Sequence, residues 1–121
     1  PLQPVLSRLI DQVKTDLRTQ INGALVNHYV DGSHCIGAQS DSELGLDPRN
    51  SMVASLAFGT ERTFRVRRRH GKKEVVFNYK HRAGTMLVME GDFQKEFTHE
   101  IPVEKKVRSD RISVTLRCHR Q

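Results

Sequence analysis

Three side chains able to hold a cation alternate in the segment Ile36-Gly37-Ala38-Gln39-Ser40-Asp41-Ser42-Glu43: Gln39, Asp41 and Glu43. On an extended backbone they point to one side. A solvated strand edge has the same pattern. His99 follows Asp41 by 58 residues, in Phe97-Thr98-His99-Glu100-Ile101-Pro102. Carboxylate and neutral imidazole both suit iron(II), so Asp41 and His99 form a candidate metal pair. The chain has six histidines, and His99 alone would carry little. Cys35 and Cys118 are the only cysteines. So widely spaced, they make neither a zinc motif nor a disulfide framework, and they read as reduced thiols.

A second set lies near the end, in Arg111-Ile112-Ser113-Val114-Thr115-Leu116-Arg117. Apolar and polar residues alternate with the period of a strand, and the polar face carries both arginines. Six steps of about 3.3 Å put the two backbones roughly 20 Å apart. Leaning inward, two arginines could grip opposite ends of a short dicarboxylate, because the guanidinium fork matches carboxylate geometry. On an outer face they would be ordinary surface charges. A third set is the basic run Arg65, Arg67, Arg68, Arg69, His70, Lys72 and Lys73, at a hairpin with Gly71 in its turn. It could meet phosphates, or be a solvated tip. It contains no aromatic residue, so it is not a base-stacking platform.

These residues need a scaffold. Val5, Leu6, Leu9, Ile10, Val13, Leu17 and Ile21 recur at helical steps, and Asn22-Gly23 then predicts the stop. The apolar stripe of this helix should pack on a sheet. After Gly23 short apolar runs alternate with turn signals. Strands are predicted at 24–29, 52–58, 63–67, 74–79, 85–90, 99–103 and 111–117, with turns at Asp31-Gly32, 80–84 and Gly91-Asp92. The 52–58 run is nearly all apolar, which suits a strand buried on both faces. Seven or eight strands after one helix predict a mainly β sandwich or jelly-roll barrel.

With 121 residues the chain is sized for one domain. Its net charge of +6 and pI of about 9.8 attract polyanions, nucleic acid foremost. No apolar run reaches the roughly 18–20 residues of a membrane span, and the start is no secretory signal. The expectation is an intracellular protein of cytoplasm or nucleus, not secreted. Beginning without Met, it reads as a piece of a longer chain.

In this order and at these spacings the segments resemble the AlkB family, from about Leu25 to Arg117. Asn27-His28-Tyr29 with Asp31-Gly32 resembles its N-x-Y strand, and Ile36 to Asp41 its I-G-x-H-x-D iron motif. Met52-Val53-Ala54-Ser55-Leu56-Ala57-Phe58-Gly59 with Arg62-Thr63-Phe64 resembles the buried strand and turn of the DNA-repair members. Gly84-Thr85-Met86-Leu87-Val88-Met89 resembles G-s-L-L-x-M, and His99-Glu100-Ile101-Pro102 resembles the second histidine motif. Arg111 to Arg117 resembles R-x-N-L-T-F-R.

The resemblance implies a double-stranded β-helix (jelly-roll) with an N-terminal helix packed on the sheet. It covers residues 1–121 as one core domain, with the N-terminal base-recognition lid missing or truncated. It implies iron(II), 2-oxoglutarate as cosubstrate, and oxidative demethylation or other dealkylation of nucleic-acid bases. Asp41 and His99 would be catalytic metal ligands. Asn27, Tyr29, Arg111, Arg117 and Ser113 would bind the cosubstrate. Glu43 matches an acidic residue near the substrate base, and Arg67, Arg68 and Arg69 complete a candidate substrate-binding set. The partner would be alkylated single-stranded DNA or RNA, with a protein substrate as an alternative; no membrane is implied, and the oligomeric state is open.

Two positions depart from the pattern. Gln39 stands where the first metal-binding histidine belongs, and an amide oxygen is a poorer ligand for iron(II). His34 lies five residues earlier, but strand geometry argues against its taking that place. Ser113 replaces the usual Asn, a milder change. Gln39, natural or engineered, makes a catalytically impaired AlkB-like module that binds nucleic acid or a protein the alternative reading. The arginine strand and His99 argue against an unrelated β-barrel with no metal site.

Overall fold

The computed structural model describes residues 4–41 and 45–119. Helix α1 (Pro4–Leu17) leads into strands β1 (Gly23–Tyr29), β2 (Ile36–Gln39), β3 (Val53–Gly59), β4 (Arg62–Arg68), β5 (Val75–His81) and β6 (Met86–Met89). A short helix α2 (Phe93–Glu96) precedes β7 (Phe97–Ile101) and β8 (Arg111–Arg117). The strands form two four-stranded antiparallel sheets, in the orders β1-β8-β3-β6 and β2-β7-β4-β5. This is the expected jelly-roll arrangement with a helix on one sheet.

Two apolar clusters hold it together. Val13 and Ile21 pack with Ala54, Val114 and Leu116, and Leu6, Leu9, Ile10 and Leu17 add to this layer between α1 and the first sheet. Tyr29, Leu46, Val53, Phe64, Val66, Met89 and Ile101 fill the space between the sheets. Strand alternation explains the division: Val53 faces the interior, and its neighbour Ala54 faces the helix. On β8 the same rule sends Val114 and Leu116 under α1. Arg111, Ser113, Thr115 and Arg117 are left for the other face, which lies inside the barrel.

Several expectations are corrected. The helix ends at Leu17, short of Asn22-Gly23, because Arg18 turns left-handed at φ 52°. Ile21 is buried all the same, from the segment beyond the helix, while Val5 is exposed. Strand β3 is buried on both faces only as far as Ala57, and Phe58 is exposed. Strand β5 continues to His81, so the expected turn starts two residues late. The short β2 and α2 lacked a clear periodic signal. Gly32, in the predicted turn, packs on the segment after β7. A Cβ there would come within 1.8 Å of the Glu104 carbonyl oxygen, so only glycine fits.

Candidate active site

The inward face of β8 forms the floor of a cavity of about 50 Å³. The β1–β8 register sets Tyr29 opposite Arg111, Asn27 opposite Ser113 and Leu25 opposite Thr115, and all six line this cavity. The second sheet closes over it. There Gln39 of β2 pairs directly with His99 of β7, so these two side chains emerge side by side. Asp41 follows Gln39 by two residues, and Gln39, Asp41 and His99 line the same cavity. Thus the candidate metal pair, Gln39 and the five candidate cosubstrate residues share one space.

Asp41 is held at three points. Its Oδ1 accepts from Arg117 NH1, its backbone N–H donates to Gln94 Oε1 at 2.8 Å, and the preceding Ser40 hydroxyl donates to the Phe97 carbonyl at 2.5 Å. Oδ2 of Asp41 is buried with no partner, and so is Nδ1 of His99. Phe64 stacks on the His99 ring at 5.4 Å, and Phe93 approaches it at 6.2 Å. Burial pushes the His99 imidazole below its ordinary 6.5; the Asp41 charge opposes this and the Arg117 charge reinforces it. Carboxylate and neutral imidazole are donors suited to iron(II), and Asp41 and His99 fit that ion. The amide of Gln39 fits it poorly. Among the described residues no group of three His, Cys, Asp or Glu could hold a metal.

Arg111 occupies the other end of the site. It is 2% exposed, and its Nε and NH1 are buried without a partner. Its NH2 donates to His81 Nδ1 at 3.1 Å, and its guanidinium lies 5.2 Å from the centre of the Tyr29 ring. Arg62 lies against the same ring at 5.6 Å. Arg62 is fully committed: it donates to Glu104 and to the carbonyls of Asp31, His34 and Pro102. Arg111 has no such carboxylate.

The basic run falls elsewhere, on the hairpin of β4 and β5, and its arginines are engaged. Arg67 pairs with Glu100, Arg68 with Glu74 at 3.1 Å, and Arg69 donates to the Gln94 carbonyl at 2.6 Å. None of the three lines the cavity. Glu43 lies outside the described residues. His34 is exposed, accepts the Val30 N–H and does not line the cavity that Gln39 lines. Sequence reasoning missed Gln94, Arg62 and His81. Arg62 shares a face with Phe64 and Val66, a signal that period-two counting could have used. Gln94 sits on the unexpected α2, where no such signal existed.

Residues 1–117 match the family profile described as the 2OG-Fe(II) oxygenase superfamily. The chain belongs to this superfamily. Its curated relatives include the human DNA oxidative demethylase ALKBH2, 32% identical over 97% of this chain and 47% of its own. The mouse alpha-ketoglutarate-dependent dioxygenase alkB homolog 3 is 33% identical, over 94% of this chain and 42% of its own. The chain is therefore AlkB-like and spans about half the length of these relatives. A Pseudomonas putida prolyl-4-hydroxylase superposes with a TM-score of 0.56 over 96% of this chain and 63% of its own. At 13% identity it shares the fold alone. Iron(II) and 2-oxoglutarate are the metal and cosubstrate of the superfamily. No helix among the described residues is long and apolar enough to cross a membrane.

Proposed function

We propose that this chain is the core of an iron(II)/2-oxoglutarate dioxygenase that oxidatively removes methyl or other alkyl groups from nucleic-acid bases. One observation carries the reading. Every buried side-chain polar atom without a partner, among the described residues, belongs to Asp41, His99 or Arg111, and these three line one cavity. Such atoms are costly to bury alone, charged ones most of all. A cation at Asp41 and His99 and a dicarboxylate at Arg111 would offset that cost.

In this reading Asp41 and His99 hold the iron, with the Gln39 amide in the third place. Arg111 takes the far carboxylate of 2-oxoglutarate, with Asn27, Tyr29 and Ser113 beside it. Arg117 grips one oxygen of Asp41 and leaves the other free. Gln94 fixes the backbone of Asp41, and the Phe64 and Phe93 rings shield His99 from water. Bound iron supplies the activation of dioxygen that oxidises the alkyl carbon, which then leaves as an aldehyde. The substrate is alkylated single-stranded DNA or RNA, or a flipped base, since a duplex hides the target atoms. The demethylase name of the ALKBH2 relative supports this class.

Gln39 favours a second reading, an AlkB-like module impaired in turnover that still binds nucleic acid. Thermal unfolding with Mn(II) and 2-oxoglutarate separates the two. A ligand at a hundredfold its Kd stabilises the native state by about 2.7 kcal/mol. A shift only in the Gln39→His variant, with aldehyde release from methylated single-stranded DNA, assigns the impairment to Gln39. A shift and turnover in both chains supports the active enzyme. No shift in either defeats the iron site.

A further inference from the structure

His81 takes no part in the reaction outlined above, yet its Nδ1 meets Arg111 NH2, beside Tyr29, which also hydrogen-bonds Arg111. It closes β5, and none of it is exposed to solvent. Its Nε2 lies 3.1 Å from the Thr85 carbonyl oxygen, which can only accept. Nε2 must therefore carry the hydrogen. Nδ1 is then the bare nitrogen, facing Arg111 NH2 at 3.1 Å. The ring is neutral, in one tautomer fixed from both sides.

We propose that His81 is a positioning residue for Arg111: as a neutral acceptor it fixes the guanidinium so that Nε and NH1 face an incoming dicarboxylate, and its protonation releases that anchor. The inference rests on reading the cavity as the 2-oxoglutarate pocket. A guanidinium is always charged and offers only donors, while an imidazolium has no acceptor. Protonated His81 would thus set two cations against each other in a buried place. The groups around it do not favour that charge. Arg62 stands opposite His81 on β4, Arg111 approaches from β8, and the Tyr79 ring of β5 lies 6.0 Å away. Glu104 is near enough to act on Arg111, but its Oε1 is taken by Arg62 and by the Thr63 N–H. Burial pushes the His81 imidazole below its ordinary 6.5; the Thr85 hydrogen bond opposes this, and the Arg111 charge adds to it.

The test is the affinity for 2-oxoglutarate, titrated by calorimetry with Mn(II) present, on the chain and on its Gln39→His variant. Each is compared with the same protein carrying His81→Leu, which cannot accept, or His81→Gln, whose amide can accept from Arg111 and donate to Thr85. The expected result is about tenfold weaker binding with His81→Leu, rescue by His81→Gln, and affinity that falls in acid more steeply when His81 is present. A bound carboxylate acting through charge alone would do the opposite, drawing a proton onto His81 and tightening binding in acid. Tighter binding in acid, or equal affinity of the His81→Leu protein, overturns the inference and leaves the pocket intact. If His81→Leu does not fold, the contrast in pH dependence between His81 and His81→Gln decides alone. No binding at any pH in either background overturns the pocket, and the positioning role falls with it.

Discussion

Arg111 is buried and Asp41 half-buried, but they are partnered differently, and their substitutions should have opposite effects. Asp41 neutralises Arg117 across the cavity. Asp41→Ala strands that half-buried guanidinium and should destabilise the chain in urea unfolding, by less than the roughly 3–5 kcal/mol of a fully buried pair. Arg111 has the neutral His81, Tyr29 and the more distant Glu104, whose Oε1 is already bonded to Arg62. Arg111→Met removes a buried charge that has no carboxylate bonded to it, so it should stabilise the ligand-free protein, by about 1 kcal/mol. It should also abolish the stabilisation by 2-oxoglutarate. A destabilised Arg111→Met protein that still responds to 2-oxoglutarate would refute both points. At this scale the sequence was most legible where a strand's alternation sorts residues by face. Arg111, Ser113 and Arg117 could be placed together on that ground, and a motif tied Asp41 to His99. His81 was not legible, because its importance comes from a contact between strands 30 residues apart.

Elements are decided by packing as much as by local preference. The periodicity of α1 foretold its buried face but not its end, since the left-handed Arg18 carries no recognisable stop signal. Below α1, Leu116 is fully buried between Val13 and Ala54 in the same cluster. Leu116→Ala should cost about 2–5 kcal/mol, read by the same urea titration. The segment after β7 is tied to β4 by Glu104, which binds Arg62 and the Thr63 N–H. Burial alone would raise the Glu104 carboxyl; the Thr63 amide and Arg62 outweigh it and hold it below its ordinary 4.5. A folded-state pKa below the unfolded one means the contribution is complete above about pH 4.5 and is lost as pH falls through the lowered value. The melting temperature should therefore drop in acid more steeply for the native chain than for Glu104→Gln. Parallel curves would show that this tie contributes nothing.

For the whole molecule, the net charge of +6 argued for a polyanion before any fold was known. Folding changes which cations are available. Arg67 and Arg68 face acidic partners, and Arg69 binds a carbonyl. At the hairpin tip His70, Lys72 and Lys73 are exposed. Composition could not reveal this division, because the partner Glu100 comes from another strand of the sheet. If the tip meets the backbone of single-stranded DNA, each phosphate contact contributes about −0.7 to the slope of log affinity against log salt. Replacing Lys72 and Lys73 together by Gln should weaken binding at low salt and make that slope shallower by about 1.4. Replacing Arg68 by Gln should alter the slope less, since Glu74 already neutralises it. Fluorescence anisotropy of a labelled oligonucleotide across a salt series reads both. An unchanged slope in the double lysine variant would remove the hairpin from the interface and leave the charge to act as a diffuse attractive field.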